Sequence, residues 1–334
     1  MKGDNMKKLT LIITVVFLCI ALIMPAHAVM KKLAQTGMKF LDMDVVPRAM
    51  GMGGSYMMVG DDATALFYNP AGIAYTGNSV DVFASQTQWV ANISYMAGGV
   101  LKNMGNLGTF GVSIVYADYG NDIQGTRITS TEKGYEDTEM LDVGAYAVGV
   151  AYGRQLTNKF SIGGQVHYAA QKLGNSVVSS GEAAKENKVS GLTFDFGTIF
   201  YPGFKSLRVG MSIRNYSANF EYEEEEFQAP LTFAIGAAMD VLDLMGEHEN
   251  ALLLSVDAIH PRDYTEQLNI GAEFLLMDMF AIRAGYKYNY DEEGLTLGAG
   301  LNYTLSGLSV RIDYAYTPIV SFDTVNRFSI GIGL

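Results

Sequence analysis

From Phe280 the chain alternates with a period of two. Phe280, Ile282, Ala284, Tyr286 and Tyr288 fall on one side, and Ala281, Arg283, Gly285, Lys287 and Asn289 on the other. The next stretch repeats this, with Leu295, Leu297, Ala299, Leu301 and Tyr303 opposite Thr296, Gly298, Gly300, Asn302 and Thr304. Successive side chains of a strand point to opposite faces, so each set is one face of a strand. Arginine and lysine on the second face exclude a sandwich that is dry on both sides. An oily outer wall around a polar lumen accommodates both sets, as in a transmembrane β-barrel.

Strands are predicted near 78–85, 91–101, 107–116, 140–153, 159–172, 188–201, 206–218, 230–241, 250–259, 265–276, 279–289, 294–304, 308–317 and 324–334. That makes fourteen, an even number as a single-chain bacterial barrel requires. The links alternate in length. Those at 102–106, 154–158, 202–205, 276–278 and 305–307 are tight and 242–249 is somewhat longer, whereas 117–139, 173–187, 219–229 and 290–293 are mostly longer and polar. Short periplasmic turns and long external loops produce this asymmetry and place both chain ends in the periplasm. In the last strand Phe328, Ile330, Ile332 and Leu334 alternate with Arg327, Ser329, Gly331 and Gly333. This resembles the terminal strand signal of outer-membrane proteins, with leucine where phenylalanine or tryptophan usually stands.

Lys7 and Lys8 precede an uncharged apolar run from Leu9 to Met24, and Ala26-His27-Ala28 follows. A charged start, a short apolar stretch and a small-x-small site form a secretory signal peptide, with cleavage near Ala28. Residues 1–28 are accordingly the signal, 29–77 an N-terminal periplasmic or plug segment, and 78–334 the barrel. The single cysteine, Cys19, leaves with the signal, so the mature chain has neither a disulfide nor a thiolate site. Cleavage leaves 20 basic and 34 acidic residues, a net charge of −14. Such a balance argues against nucleic acid as a partner. The expected surroundings are outer-membrane lipid and lipopolysaccharide. The 37 glycines suit a curved wall and the 20 tyrosines suit interfacial girdles.

Residues 30–77 do not alternate. Pro47-Arg48-Ala49-Met50-Gly51-Met52-Gly53-Gly54 is too glycine-dense for a regular helix. Asp61-Asp62 precede Ala63–Tyr68, where an aspartate can cap a short helix. Asn69-Pro70 ends that helix, and Gly72 follows as a turn residue. The run from Pro47 to Ala74, with its Arg-Ala-x-Gly-Met-Gly-Gly element, acidic pair and Asn-Pro-Ala-Gly, resembles the PorV/PorQ family within the FadL-like superfamily. That resemblance implies a fourteen-stranded barrel with an inward-folded N-terminal plug. It also implies a role in type IX secretion, through cargo bearing a C-terminal signal or through its attachment to the surface. FadL transporters proper are longer, with larger external inserts. Arg48, Gly51, Gly53, Gly54, Asp61, Asp62, Asn69, Pro70 and Gly72 are the plug-motif candidates, structural or gating.

Ten charges fall on the lumen face: Asp195, Arg208, Arg214, Asp257, Glu273, Arg283, Lys287, Arg311, Asp313 and Arg327. They read either as a polar track for a substrate or as an ion-pair network that grips the plug, with Arg48 the natural partner of one lumen acid. The acidic run Glu223–Glu226 reads as a solvated loop, because adjacent carboxylates on an extended chain diverge. His27, His167, His248 and His260 form no cluster at metal spacing, and no serine or acid is singled out beside a histidine. Neither catalysis nor a cofactor is expected. Two function classes remain: an accessory of protein secretion or surface attachment, with secreted cargo or secretion components as partners, and a FadL-like passive transporter of hydrophobic or aromatic molecules. An apolar pocket inside the external mouth and a lateral wall opening would mark the second. In the first, Tyr135, Tyr222 and Phe227 on the external loops would anchor the partner.

Overall fold

The computed structural model describes residues 36–120, 122–176, 185–222, 224–246 and 249–334. The signal segment with Cys19 and His27, and also His248 and Glu223, lie outside the described residues. The wall begins with β1 (Val80–Gln88), β2 (Ser94–Asn103) and β3 (Thr109–Asp118). Two short strands follow, β4 (Gln124–Ile128) and β5 (Tyr135–Met140), then β6 (Val143–Thr157), β7 (Phe160–Ser176), β8 (Lys185–Phe200) and β9 (Arg208–Tyr216). After the short pair β10 (Phe220–Tyr222) and β11 (Glu225–Phe227) come β12 (Thr232–Asp240), β13 (Ala251–Pro261) and β14 (Gln267–Leu276). The last are β15 (Phe280–Tyr288), β16 (Leu295–Leu305), β17 (Leu308–Thr317) and β18 (Val325–Gly333).

Fourteen of these close into one antiparallel barrel in the order β1-β2-β3-β6-β7-β8-β9-β12-β13-β14-β15-β16-β17-β18, and β18 pairs back onto β1. The links at 117–139 and 219–229 are not wholly loop. They fold into the separate hairpins β4–β5 and β10–β11, whose pairing is local and too short and polar to register as wall. The alternation sorts as the period requires: Arg283 and Lys287 are buried inward, while Phe280, Ile282 and Tyr286 stand exposed on the outside. Among the described residues no helix is long and apolar enough to cross a membrane.

A fourteen-stranded wall encloses more space than its own side chains fill, and residues 36–78 occupy it. The first described residue, Thr36, bridges Gln228 on the long-link side. A 3-10 turn at Lys39–Asp42 follows, then helix α1 (Pro47–Gly51), then 3-10 helices at Ala63–Phe67 and Pro70–Tyr75. The segment leaves at the short-turn rim, where the Ser79 and Val80 amides donate to the Leu334 carbonyl at 2.6 and 3.1 Å. Leu334 and the start of β1 thus lie on the short-turn side. The plug does not begin there: its described start is at the opposite mouth, so the segment runs the length of the lumen. Val46, Met52, Tyr56, Met58, Leu66 and Ile73, all from this segment, are fully buried and belong to the apolar centre of the molecule.

Local chemistry sets the turns of the plug. Proline at the first position lets Pro47–Gly51 form one turn of true helix, although glycine density argued against any. The Asp62 carboxylate accepts the Thr64 amide at 2.9 Å and caps the next helix. Asn69 does the same for the Pro70–Tyr75 helix, taking the Ala71 amide at 3.0 Å. Gly72 is therefore inside a helix, not at a turn. What it requires is space: a Cβ there would lie 2.3 Å from the Gly60 carbonyl oxygen.

Wall glycines receive the plug backbone. A Cβ on Gly285 would lie 2.0 Å from the Gly53 amide nitrogen, and one on Gly271 2.4 Å from the Met52 oxygen. On the far side, Gly163 would meet Pro70 at 2.3 Å and Gly197 would meet the Asn69 amide oxygen at 1.8 Å. Gly53 also has φ +68°, a conformation that favours glycine. Gly285→Val should therefore expel the plug from its seat, lowering the heat-modifiability midpoint by the equivalent of about 1–3 kcal/mol or more and raising conductance in planar bilayers. Gly77→Ala, where a Cβ meets nothing within 4 Å, should change neither.

Candidate functional site

The side chains inside the barrel form a ladder of ion pairs between plug and wall. At the mouth the Thr36 hydroxyl and the Lys39 ammonium both donate to Asp263, at 2.6 and 3.0 Å, and Lys39 also reaches Asp42 at 3.1 Å. Below them Lys287 lies between Asp44 of the plug at 3.0 Å and Glu293 of the wall loop at 2.6 Å. Tyr68 donates to the second oxygen of Asp44 at 2.8 Å, and Arg327 donates to its backbone carbonyl at 2.9 Å. Arg214 lies 3.8 Å from Asp42 and donates to the Phe67 carbonyl at 2.8 Å.

Deeper, the Arg48 guanidinium grips Glu273 with two bonds of 3.0 and 2.8 Å. Arg283 holds the same carboxylate at 2.5 Å and continues to Asp313 at 2.7 Å. Asp257 accepts the backbone amides of Tyr56 and Met57 at 2.8 and 3.0 Å. Arg208 donates to the Met58 carbonyl. Near the short-turn rim Arg311 bridges Asp62 at 3.2 Å and Asp81 at 2.8 Å, while Asp81 also takes the Ala63 amide at 3.0 Å. Asp195 binds His167 at 3.0 Å and the Asn215 amide at 2.7 Å, across the register shift between β8 and β9.

The ten lumen charges are thus spread along the whole height of the barrel; seven bond the plug directly, and Arg283 shares the Glu273 carboxylate with Arg48 of the plug. Asp195 and Asp313 are tied to other wall groups instead. Of the plug motif, Arg48, Asp62 and Asn69 make side-chain bonds, and Asp61 is exposed 3.9 Å from Arg48. Gly51, Gly53, Gly54, Pro70 and Gly72 supply backbone shape. The alternation overlooked Asp81, which shares the inward face of β1 with Phe83 and Ser85, and Asp263, which sits in a link. Asp42 and Asp44 were also missed, because no periodicity marks the plug.

At the mouth a cavity of about 370 Å³ remains, bordered by Asp44, Arg214, Lys287, Arg327, Trp89 and Tyr290, among others. Its aromatic rings already carry protein cations: Arg327 lies 5.7 Å from the Trp89 ring centre, Arg214 5.4 Å from Tyr68 and Lys287 4.6 Å from Tyr290. The lining mixes these charges with apolar side chains, among them Met43, Met57, Ile259 and Pro261. No group of three or more metal-ligating side chains is assembled among the described residues. Two of the three expected aromatic anchors are otherwise engaged. Phe227 stacks on Phe220 at 5.5 Å, and Tyr222 packs against the core with it. Their hairpin is folded down onto the plug, where the Gly37 amide donates to the Gln228 carbonyl at 3.0 Å. Tyr135 stays exposed.

Replacing Glu273 by Gln strands two guanidinium groups against each other, at a cost of about 3–5 kcal/mol. The expected result is a lower unfolding midpoint with raised conductance, whereas exposed Glu132→Gln should stay within about 0.5 kcal/mol. The mouth latch gives a pH test. Burial alone would raise the Asp263 carboxyl, but the Thr36 hydroxyl and Lys39 ammonium outweigh it and hold it below the ordinary carboxylate range. A depressed carboxyl stabilises above its unfolded value and loses that contribution as pH falls through its folded value. Protease access at Lys39 should therefore be constant from neutral pH down to about 4 and rise only in stronger acid.

Sequence and fold comparisons agree with this architecture. Residues 63–334 match the model of the type IX secretion system membrane protein family PorP/SprF. The matched family is PorP/SprF, not the PorV/PorQ family that the plug motif suggested, and the match begins after the glycine-rich run. No curated protein matches the sequence. Solved structures with a similar fold include the Ralstonia pickettii toluene transporter TbuX, at 14% identity and TM-score 0.52, covering 86% of this chain and 96% of that one. A Pseudomonas aeruginosa FadL homologue is similar at 11% identity and TM-score 0.53, covering 86% and 97%. The Pseudomonas putida toluene transporter TodX follows at 10% and 0.53, covering 85% and 96%. At these identities the likeness is one of fold alone.

Proposed function

The chain belongs to the PorP/SprF family of type IX secretion system membrane proteins, and from that premise we propose that it is an outer-membrane accessory of protein secretion and surface attachment. It reaches the membrane through a signal peptide cleaved near Ala28 and works with secretion components and exported protein cargo. The family match over 63–334 carries this reading. The resemblance of Pro47–Ala74 to PorV/PorQ proteins, which also serve type IX secretion, supports the same reading.

Three physical features support a closed anchor over a hydrophobic conduit. The lumen is filled by a plug bonded to the wall from mouth to rim. The mouth cavity sets the charges of Asp44, Lys287 and Arg214 among its apolar side chains, and an oily solute would have to pass them. The wall ladder also closes on itself: β3 pairs with β2 and β6 along its length, and pairing resumes after each of the shifts between β6 and β7, β7 and β8, and β8 and β9, the last bridged by Asp195 and Asn215. A lateral exit for an oily solute would need a gap.

A deletion strain separates the two classes. Loss of surface-displayed proteins, with unchanged uptake of toluene and long-chain fatty acids, is the expected outcome. Normal display combined with lost uptake would transfer the assignment to FadL-like transport.

A further inference from the structure

We propose that the hairpin β4–β5 is a docking site for an extended, basic segment of a partner protein, which adds as a third strand. The inference rests on the secretion reading and names the surface and chemistry by which that role would engage its partner. The two external hairpins have opposite fates. In β10–β11 the aromatic side chains turn down onto plug and wall, with Phe220 filling the space above Gly191. The β4–β5 hairpin forms a sheet of two strands only, so neither outer edge meets another described strand. An open edge offers a row of backbone donors and acceptors to any chain in extended conformation.

Its side chains specify which chain. Ile128 is 91% exposed and is paired across the hairpin with Tyr135, which is also exposed. Met140 and Ile123 are exposed at the other end of the hairpin. From Asp122 to Met140 five acids stand against two bases. Arg127 is committed to Glu136, while Glu132, Asp137 and Glu139 remain exposed. Apolar side chains with an acidic surround fit a strand that alternates basic with aliphatic residues. A solvated loop has no need of a bare isoleucine–tyrosine pair.

The test uses the full-length protein in lipid nanodiscs and three labelled nine-residue peptides. One alternates lysine with valine and threonine, one has glutamate for lysine, and one is the basic peptide with a central proline. The basic strand should bind at least tenfold more tightly than either control, and more weakly as salt rises. Ile128→Ser and the pair Asp137→Lys with Glu139→Lys should each lower that affinity about tenfold while the barrel stays heat-modifiable. Equal binding of the proline-broken peptide, indifference to both variants, or binding that requires added lipopolysaccharide and Ca²⁺ would overturn the proposal. In cells, display lost without the barrel but intact in a strain lacking only residues 122–141 would overturn the docking site and leave the secretion reading standing. Display intact in both strains would overturn the secretion reading itself.

Discussion

Glu273 lies between two guanidinium groups, Arg48 of the plug and Arg283 of the wall, and much of the lumen is arranged on the same terms. A charge inside a membrane barrel, once a plug displaces the water, has only other protein groups to answer it. Arg283 is 2% exposed and Arg327 1%. Cations so deeply buried are tolerable only because Asp313, Glu273 and the Asp44 carbonyl converge on them. The plug is thus a set of counter-charges and amides that the wall needs, and the wall in turn answers Asp44 and Asp62 of the plug. Neither part is satisfied alone.

Glycine is the steric counterpart of that electrostatic fit. Ion pairs and backbone bonds reach across a few ångströms, so the plug chain must lie against the wall. Where Met52-Gly53 crosses Gly271 and Gly285, and where Asn69-Pro70 crosses Gly197 and Gly163, the wall has no side chain to hold it off. Several lumen-facing glycines that composition alone assigns to wall curvature are therefore places of contact. The resulting core is unusual in its source, because the fully buried apolar side chains come mainly from the plug while most of the wall's own large apolar residues face outward.

The toluene transporters TbuX and TodX share the architecture at 10–14% identity. In this chain Asp44, Lys287 and Arg214 at the mouth are paired with neighbouring charges, Arg327 donates to the Asp44 carbonyl, and the aromatic neighbours are already covered by cations. A site of this kind holds a plug in place. Among the described residues the acidic, partly apolar β4–β5 hairpin stands open outside the lumen.

The strand number, the inward face of each strand and the sidedness of the links were all legible in the sequence. A period of two records orientation residue by residue, and lipid outside with charge inside leaves only one register. Thus Arg283 and Lys287 are placed inward by counting alone. The residues from Pro47 to Ala74 pointed to PorV/PorQ, whereas the family model that matches is PorP/SprF. The plug's path was not legible, because Thr36–Asn78 has no periodicity, and its direction through the lumen is set by partners such as Asp263, Glu273 and Asp81, some two hundred residues distant or in an overlooked face. The single helical turn at Pro47–Gly51 and the buried place of Gly72 depend on those same contacts. Local pattern fixes which way a side chain points. Which charge it meets is decided only when the barrel closes and the plug is inside it.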